Sequence, residues 1–94
     1  MDSFEKQSGE EYSISIDFSD VLGDGETIST KTVEATLHDV SVTSTIIDSS
    51  VISGETVIIK IKDGTENNYK ITVEIITSIG NIYEEDILMK VREI

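Results

Sequence analysis

Apolar side chains recur on every second residue through most of residues 68–91, and this period constrains the fold more than any other feature of the chain. Tyr69, Ile71, Val73 and Ile75 alternate with Lys70, Thr72 and Glu74, and after Gly80-Asn81 the residues Tyr83, Ile87, Met89 and Val91 keep the same parity. A period of two sends successive side chains to opposite faces of a strand, so the stretch predicts two half-buried strands joined by a turn at Gly80-Asn81. If odd-numbered residues of both strands face inward, antiparallel partners must have an even residue sum. Pairing Ile79 with Tyr83 leaves Gly80, Asn81 and Ile82 as a three-residue loop and sets Ile75 opposite Ile87 and Val73 opposite Met89. Pairing Ile71 with Met89 instead would oppose Glu74 and Asp86, two like charges, so the first register is expected.

Composition extends the same expectation to the whole chain. Ile and Val supply 24 of the 94 residues and Thr another 10, all β-branched and suited to pleated sheet. No window places apolar residues at helical spacing among good helix formers. A length of 94 residues allows one domain.

Seven Lys and Arg against 19 Asp and Glu give a net charge of -12. Such a surface repels phosphate backbones and anionic lipid, so neither nucleic acid nor membrane is expected as a partner. With no cysteine, disulfides and thiolate metal sites are excluded. The first residues lack a basic region followed by an apolar run, and no long apolar stretch follows, so cytoplasmic synthesis is expected.

Residues 1–11 are polar apart from Met1 and Phe4 and read as a mobile N-terminal segment or a weak edge strand, with residues 12–94 forming the domain. Tyr12, Ile14, Ile16 and Phe18 alternate with polar residues as a two-faced strand. Gly23-Asp24-Gly25 marks a turn, in which Val21 and Leu22 are expected to plug one end of the core. A strand from Ile28 to about Thr36 offers Ile28, Val33, Ala35 and Leu37 to the core, and its parity break predicts a bulge or a bend near Ser29-Thr30. Residues 40–52 read as two short strands broken at Asp48-Ser49-Ser50. Residues 56–62 form another strand, and Asp63-Gly64 leads into the loop before Asn68. About seven strands without a crossover helix fit an all-β fold, a single antiparallel immunoglobulin-like β-sandwich.

Four segments carry a family resemblance: Asp17-Phe18-Ser19-Asp20-Val21-Leu22-Gly23-Asp24-Gly25-Glu26-Thr27-Ile28, then Asp63-Gly64-Thr65-Glu66-Asn67-Asn68-Tyr69-Lys70-Ile71-Thr72-Val73, then Ile75-Ile76-Thr77-Ser78-Ile79-Gly80, and the terminal Glu84-Glu85-Asp86-Ile87-Leu88-Met89-Lys90-Val91. In their order the chain resembles small immunoglobulin-like sandwich proteins encoded among the structural genes of tailed bacteriophages and prophages. The resemblance implies a virion or assembly component and no catalytic residues.

The residues themselves carry little chemistry. His38 precedes Asp39, which could orient it as a base, yet no Cys and no Gly-X-Ser-X-Gly elbow supply a nucleophile, so a surface loop histidine is expected. Asp17, Asp20, Asp24 and Glu26 gather oxygen ligands around one turn without the spacing of a calcium loop, and are weak candidates for that ion; no cofactor is expected. Glu84 and Asp86 share a strand face but lack an aromatic sugar platform. Tyr69, at the start of a strand, sits where sandwiches place a tyrosine whose hydroxyl ties a corner to nearby backbone.

Ile58, Ile76 and Leu88 fall on the outer faces of their strands. In the expected register Ile76 opposes Asp86 and Leu88 opposes Glu74, so Ile58, Glu74, Ile76, Asp86 and Leu88 are the candidate interface residues. The function expected is that of a non-enzymatic structural or assembly module of a phage or prophage particle. It would dock through a sheet face or edge onto virion components or a second copy of itself. The alternative is a small binding module that recognises a ligand or cell-surface carbohydrate through residues 19–26 and 63–68.

Overall fold

The computed structural model describes residues 2–93; Met1, in the N-terminal segment, and Ile94, in the domain, lie outside the described residues. Eight strands follow one another as β1 (Asp2–Lys6), β2 (Tyr12–Asp17), β3 (Ile28–Leu37), β4 (Val40–Ser41), β5 (Ile47–Ser53), β6 (Thr56–Ile61), β7 (Asn68–Thr77) and β8 (Ile82–Val91), with one helical turn, α1 (Thr43–Ile46), before β5. They build an all-β sandwich of two sheets, ordered β1-β8-β7-β3-β4 and β2-β6-β5. Period-two alternation explains the core: Ile16, Val57, Ile59 and Ile61 from one inner face meet Ala35, Tyr69, Ile71, Val73, Ile75, Met89 and Val91 from the other, all buried.

Every strand pair is antiparallel except one. β1 lies parallel to β8, with Asp2 beside Ile87 and Lys6 beside Val91. Lys6 is buried, and its ammonium donates to the carbonyls of Gln7 (2.8 Å), Ser8 (3.3 Å) and Asp63 (2.5 Å). A buried charge is tolerable only when its donors are used, and here they fasten β1 to the loop before β7.

The β7–β8 hairpin is slipped from the expected register. Tyr69 pairs with Met89, Ile71 with Ile87 and Ile75 with Tyr83, so neither Ile79–Tyr83 nor Val73–Met89 forms. Inward parity is kept, because the slip moves partners by an even number of residues. The turn sets the position: Thr77 N–H donates to the Asn81 carbonyl at 2.8 Å, Gly80 N–H to the Thr77 carbonyl at 3.0 Å, and Gly80 adopts a positive φ of 87°. The loop is residues 78–81, longer by one than expected. Like-charge avoidance did not decide the register, since Glu74 stands opposite Glu84 on the outer face, where water and salt screen the repulsion.

The break in residues 40–52 also moves. β5 runs unbroken from Ile47 to Ser53 with a bulge at Asp48, and the interruption is α1. Tertiary burial overrides the local turn signal, for α1 drops Ile46 fully into the core, while Ala35 N–H donates to Thr43 Oγ1 at 3.1 Å and Val42 N–H to the Ala35 carbonyl at 2.8 Å. The bulge of β3 falls between Ile28 and Thr30. Of the two residues expected to plug the sandwich, Leu22 packs on the core and Val21 is exposed.

Candidate docking surfaces

The carboxylates around the Gly23-Asp24-Gly25 turn do separate jobs. Asp17 accepts from Ser19 N–H at 2.8 Å, and this bond holds its carboxyl below the usual range. Glu26 is buried; its Oε1 accepts from Gly23 N–H at 2.8 Å and its Oε2 from the Asn81 amide at 3.0 Å. The Gly23 N–H, then the Thr77 hydroxyl and the Asn81 amide, favour the charged form and lower its pKa against the opposing effect of desolvation. Asp20 and Asp24 are exposed. The oxygens of Glu26 are therefore spent on closing its own turn and tying it to the β7–β8 turn. Among the described residues, no three of His, Cys, Asp and Glu are placed to hold a metal ion.

The loop before β7 is closed by Tyr69, whose hydroxyl accepts from Thr65 N–H at 2.9 Å and lies 3.2 Å from Thr65 Oγ1. Burial pushes this phenol up, but the bonds with Thr65 and Asn67 and the charge of Lys6 together bring it below its ordinary value. Residues 19–26 meet Asn81 at one end of β8, while residues 63–68 meet Val91 at the other, where Asn67 accepts from Val91 N–H. Ten-residue strands are roughly 33 Å long, so the two loops do not form one surface. His38 and Asp39 both have positive φ, 51° and 65°, and make the two-residue turn between β3 and β4.

The five candidate interface residues are dispersed. Ile58 lies on the outer face of the three-stranded sheet, beside Ser15 and Val51. On the outer face of the other sheet Leu88 pairs with Lys70, Asp86 with Thr72, Glu74 with Glu84 and Ile76 with Ile82. Ile76 and Leu88 are thus six residues apart along the ladder, roughly 20 Å, rather than diagonal neighbours. Asp86 Oδ2 stands 4.0 Å from Lys70 Nζ, and its Oδ1 is buried without a partner.

What gathers instead is the tip of the β7–β8 hairpin. Ile76 (39 % exposed) opposes Ile82 (61 %), and Ile79 (70 %) sits in the turn that joins them. Three exposed isoleucines at one hairpin end make an apolar contact point on an otherwise acidic surface. The signal was present in the sequence as apolar residues in a turn, where Gly, Asn, Asp and Ser are the usual occupants; placing Ile79 in a ladder pair hid it.

Among the described residues, no helix is long and apolar enough to cross a membrane. A search of curated proteins finds no match to the chain. A family model does match: that of the podophage GP4 fiber-tail adaptor protein gp77, over residues 6–90, from the end of β1 almost to the end of β8. The chain belongs to this family of phage structural proteins.

Proposed function

We propose that the chain is a non-enzymatic adaptor of a phage particle, seated between tail and fibre components and carried in the virion. The family match over residues 6–90 supports the role. The structural observation that carries the docking is the apolar hairpin tip of Ile76, Ile79 and Ile82, which contributes little to the core and is exposed in a chain of net charge -12. An acidic body disfavours contact between copies and keeps the free protein soluble until an apolar partner covers the tip. The frame is an immunoglobulin-like sandwich, a reading supported by the sheet orders and by the Tyr69–Thr65 tie at the start of β7. Of the interface residues expected from sequence, Ile76 belongs to this surface, and Ile58, Glu74, Asp86 and Leu88 lie beyond it.

The test is a double variant, Ile79→Asp with Ile82→Asp, purified and mixed with tail particles lacking the chain. The expected result is unchanged melting temperature and loss of incorporation. Incorporation at the wild-type level would overturn docking through the tip.

A further inference from the structure

The two sheets leave a groove of about 520 Å³ on one side of the sandwich, between β2 and the edge formed by β1 and β8. Its apolar wall comes from Ile16, Phe18, Val21 and Ile87, and its rim carries Asp2, Asp17, Asp20, Glu85 and Asp86, with no basic side chain among the described residues that line it. Phe4 and Tyr12 bridge β1 to β2 at one end, ring centroids 6.2 Å apart, with the Tyr12 hydroxyl donating to the Glu5 carbonyl at 3.1 Å.

β2 borders this groove with a free edge. Phe18 N–H donates to the Glu55 carbonyl at 2.9 Å, and the β2–β6 register continues that pairing through Ile16 with Val57 and Ile14 with Ile59. Antiparallel ladders alternate, so the intervening Ser13, Ser15 and Asp17 turn their N–H and C=O groups away from β6. All three are exposed, and among the described residues β2 has no strand neighbour on that side. Three other edges are blunted: β5 by the bulge at Asp48, β4 by its two-residue length, and the bare side of β3 by Lys31. β2 has neither bulge, proline nor lysine. Across the groove β1 runs parallel to β8, with Asp2 beside Ile87.

We propose that this groove receives an extended segment of another protein, rich in alternating basic and apolar residues, which pairs with the free edge of β2. Charge complementarity selects the occupant: of the five rim carboxylates only Asp86 has an ion-pair partner among the described residues, Lys70 at 4.0 Å, so the remaining four favour Lys and Arg, and a second copy of this chain would bring acid against acid. Backbone bonds to Ser13, Ser15 and Asp17 supply the pairing, and alternate side chains of the segment reach Ile16 and Ile87. The inference deepens the adaptor reading, on which it rests for the existence of a protein partner.

The probe is a labelled, end-capped peptide of about nine residues alternating Lys and Val, titrated into the purified protein at low salt. Saturable binding is expected, weakened about tenfold or more by Ser15→Pro, by the pair Asp17→Lys and Glu85→Lys, and by N-methylation of alternate peptide residues. Glu34→Lys, on the bare side of β3, is expected to change it less than about twofold. The methylated peptide needs no protein variant, so the result does not hang on any substitution folding. Absent binding, equal affinity of the methylated peptide, or an equal effect of Glu34→Lys would each overturn the proposal. Because the titration involves no particle, its outcome is separable from that of the incorporation test. A chain that enters particles but ignores the peptide sinks the groove alone, and one that binds the peptide but never enters particles sinks the adaptor reading alone.

Discussion

Glu26 and Asn81 stand 55 positions apart in the chain and meet at 3.0 Å, amide to carboxylate, so that two loops share one fastening. The same carboxylate closes its own turn on Gly23 N–H. Ser78 N–H donates to the Thr27 carbonyl at 2.8 Å and Thr27 N–H to Ser78 Oγ at 3.1 Å, which extends the contact between the two segments past the end of the β3–β7 ladder.

The Glu26 carboxyl is held below its ordinary value near 4.5, by Gly23 N–H first and then by Thr77 and Asn81. A lowered folded-state pKa contributes stability that is present above the unfolded value and lost as pH falls through the folded one. Asp17 and Glu93 are lowered too, Glu93 by its bonds with Ser8. Stability against thermal unfolding is therefore expected to fall on acidification below about pH 5. Glu26→Gln melts lower than wild type at pH 7, and the gap narrows as pH falls; a gap independent of pH would contradict the assignment.

Tyr69→Phe removes the hydroxyl that accepts from Thr65 N–H while keeping the buried ring. The expected loss is about 1 kcal/mol. Urea unfolding should show a lower midpoint with an unchanged slope, since the surface exposed on unfolding is the same.

The hairpin register is open to cross-linking. Thr72→Cys with Asp86→Cys places two thiols on directly opposed residues, within the span a disulfide needs. Glu74→Cys with Leu88→Cys would be opposed only in the register expected from sequence; in the structure they are four residues out of step, roughly 13 Å. The first pair is expected to oxidise within the monomer and the second to stay reduced, as read by mass spectrometry after alkylation.

Gly64 has a positive φ of 94°, and a Cβ there would lie 3.2 Å from Val91 Cγ2, 3.3 Å from Ile46 Cδ1 and 3.4 Å from Tyr69 Cε2. Gly64→Ala combines a left-handed backbone, which costs an L-residue about 1–2 kcal/mol, with crowding against the core. A fall in melting temperature is expected, larger than for Gly9→Ala, where a Cβ meets nothing within 4 Å and φ is not positive.

Residue order by itself determined which side chains face inward. Alternation in β2, β6, β7 and β8 is a local property, and Ile16, Ile59, Ile71, Val73 and Met89 are buried where their parity puts them. The turn at Gly80-Asn81, the bulge near Ser29-Thr30 and the tie made by Tyr69 were legible for the same reason, because each depends on a few adjacent residues. Tertiary structure alone decided how the strands are offset. A slip that moves partners by an even number of residues preserves every inward face, so parity is blind to the difference between Ile75–Ile87 and Ile75–Tyr83. Contacts distant in sequence break that degeneracy: Glu26 with Asn81 at one end of the hairpin, Lys6 with the Asp63 carbonyl and β1 alongside β8 toward the other. The offset in turn settles which outer residues are neighbours, and so replaces Ile76 beside Leu88 with Ile76 beside Ile82 and Ile79 at the tip.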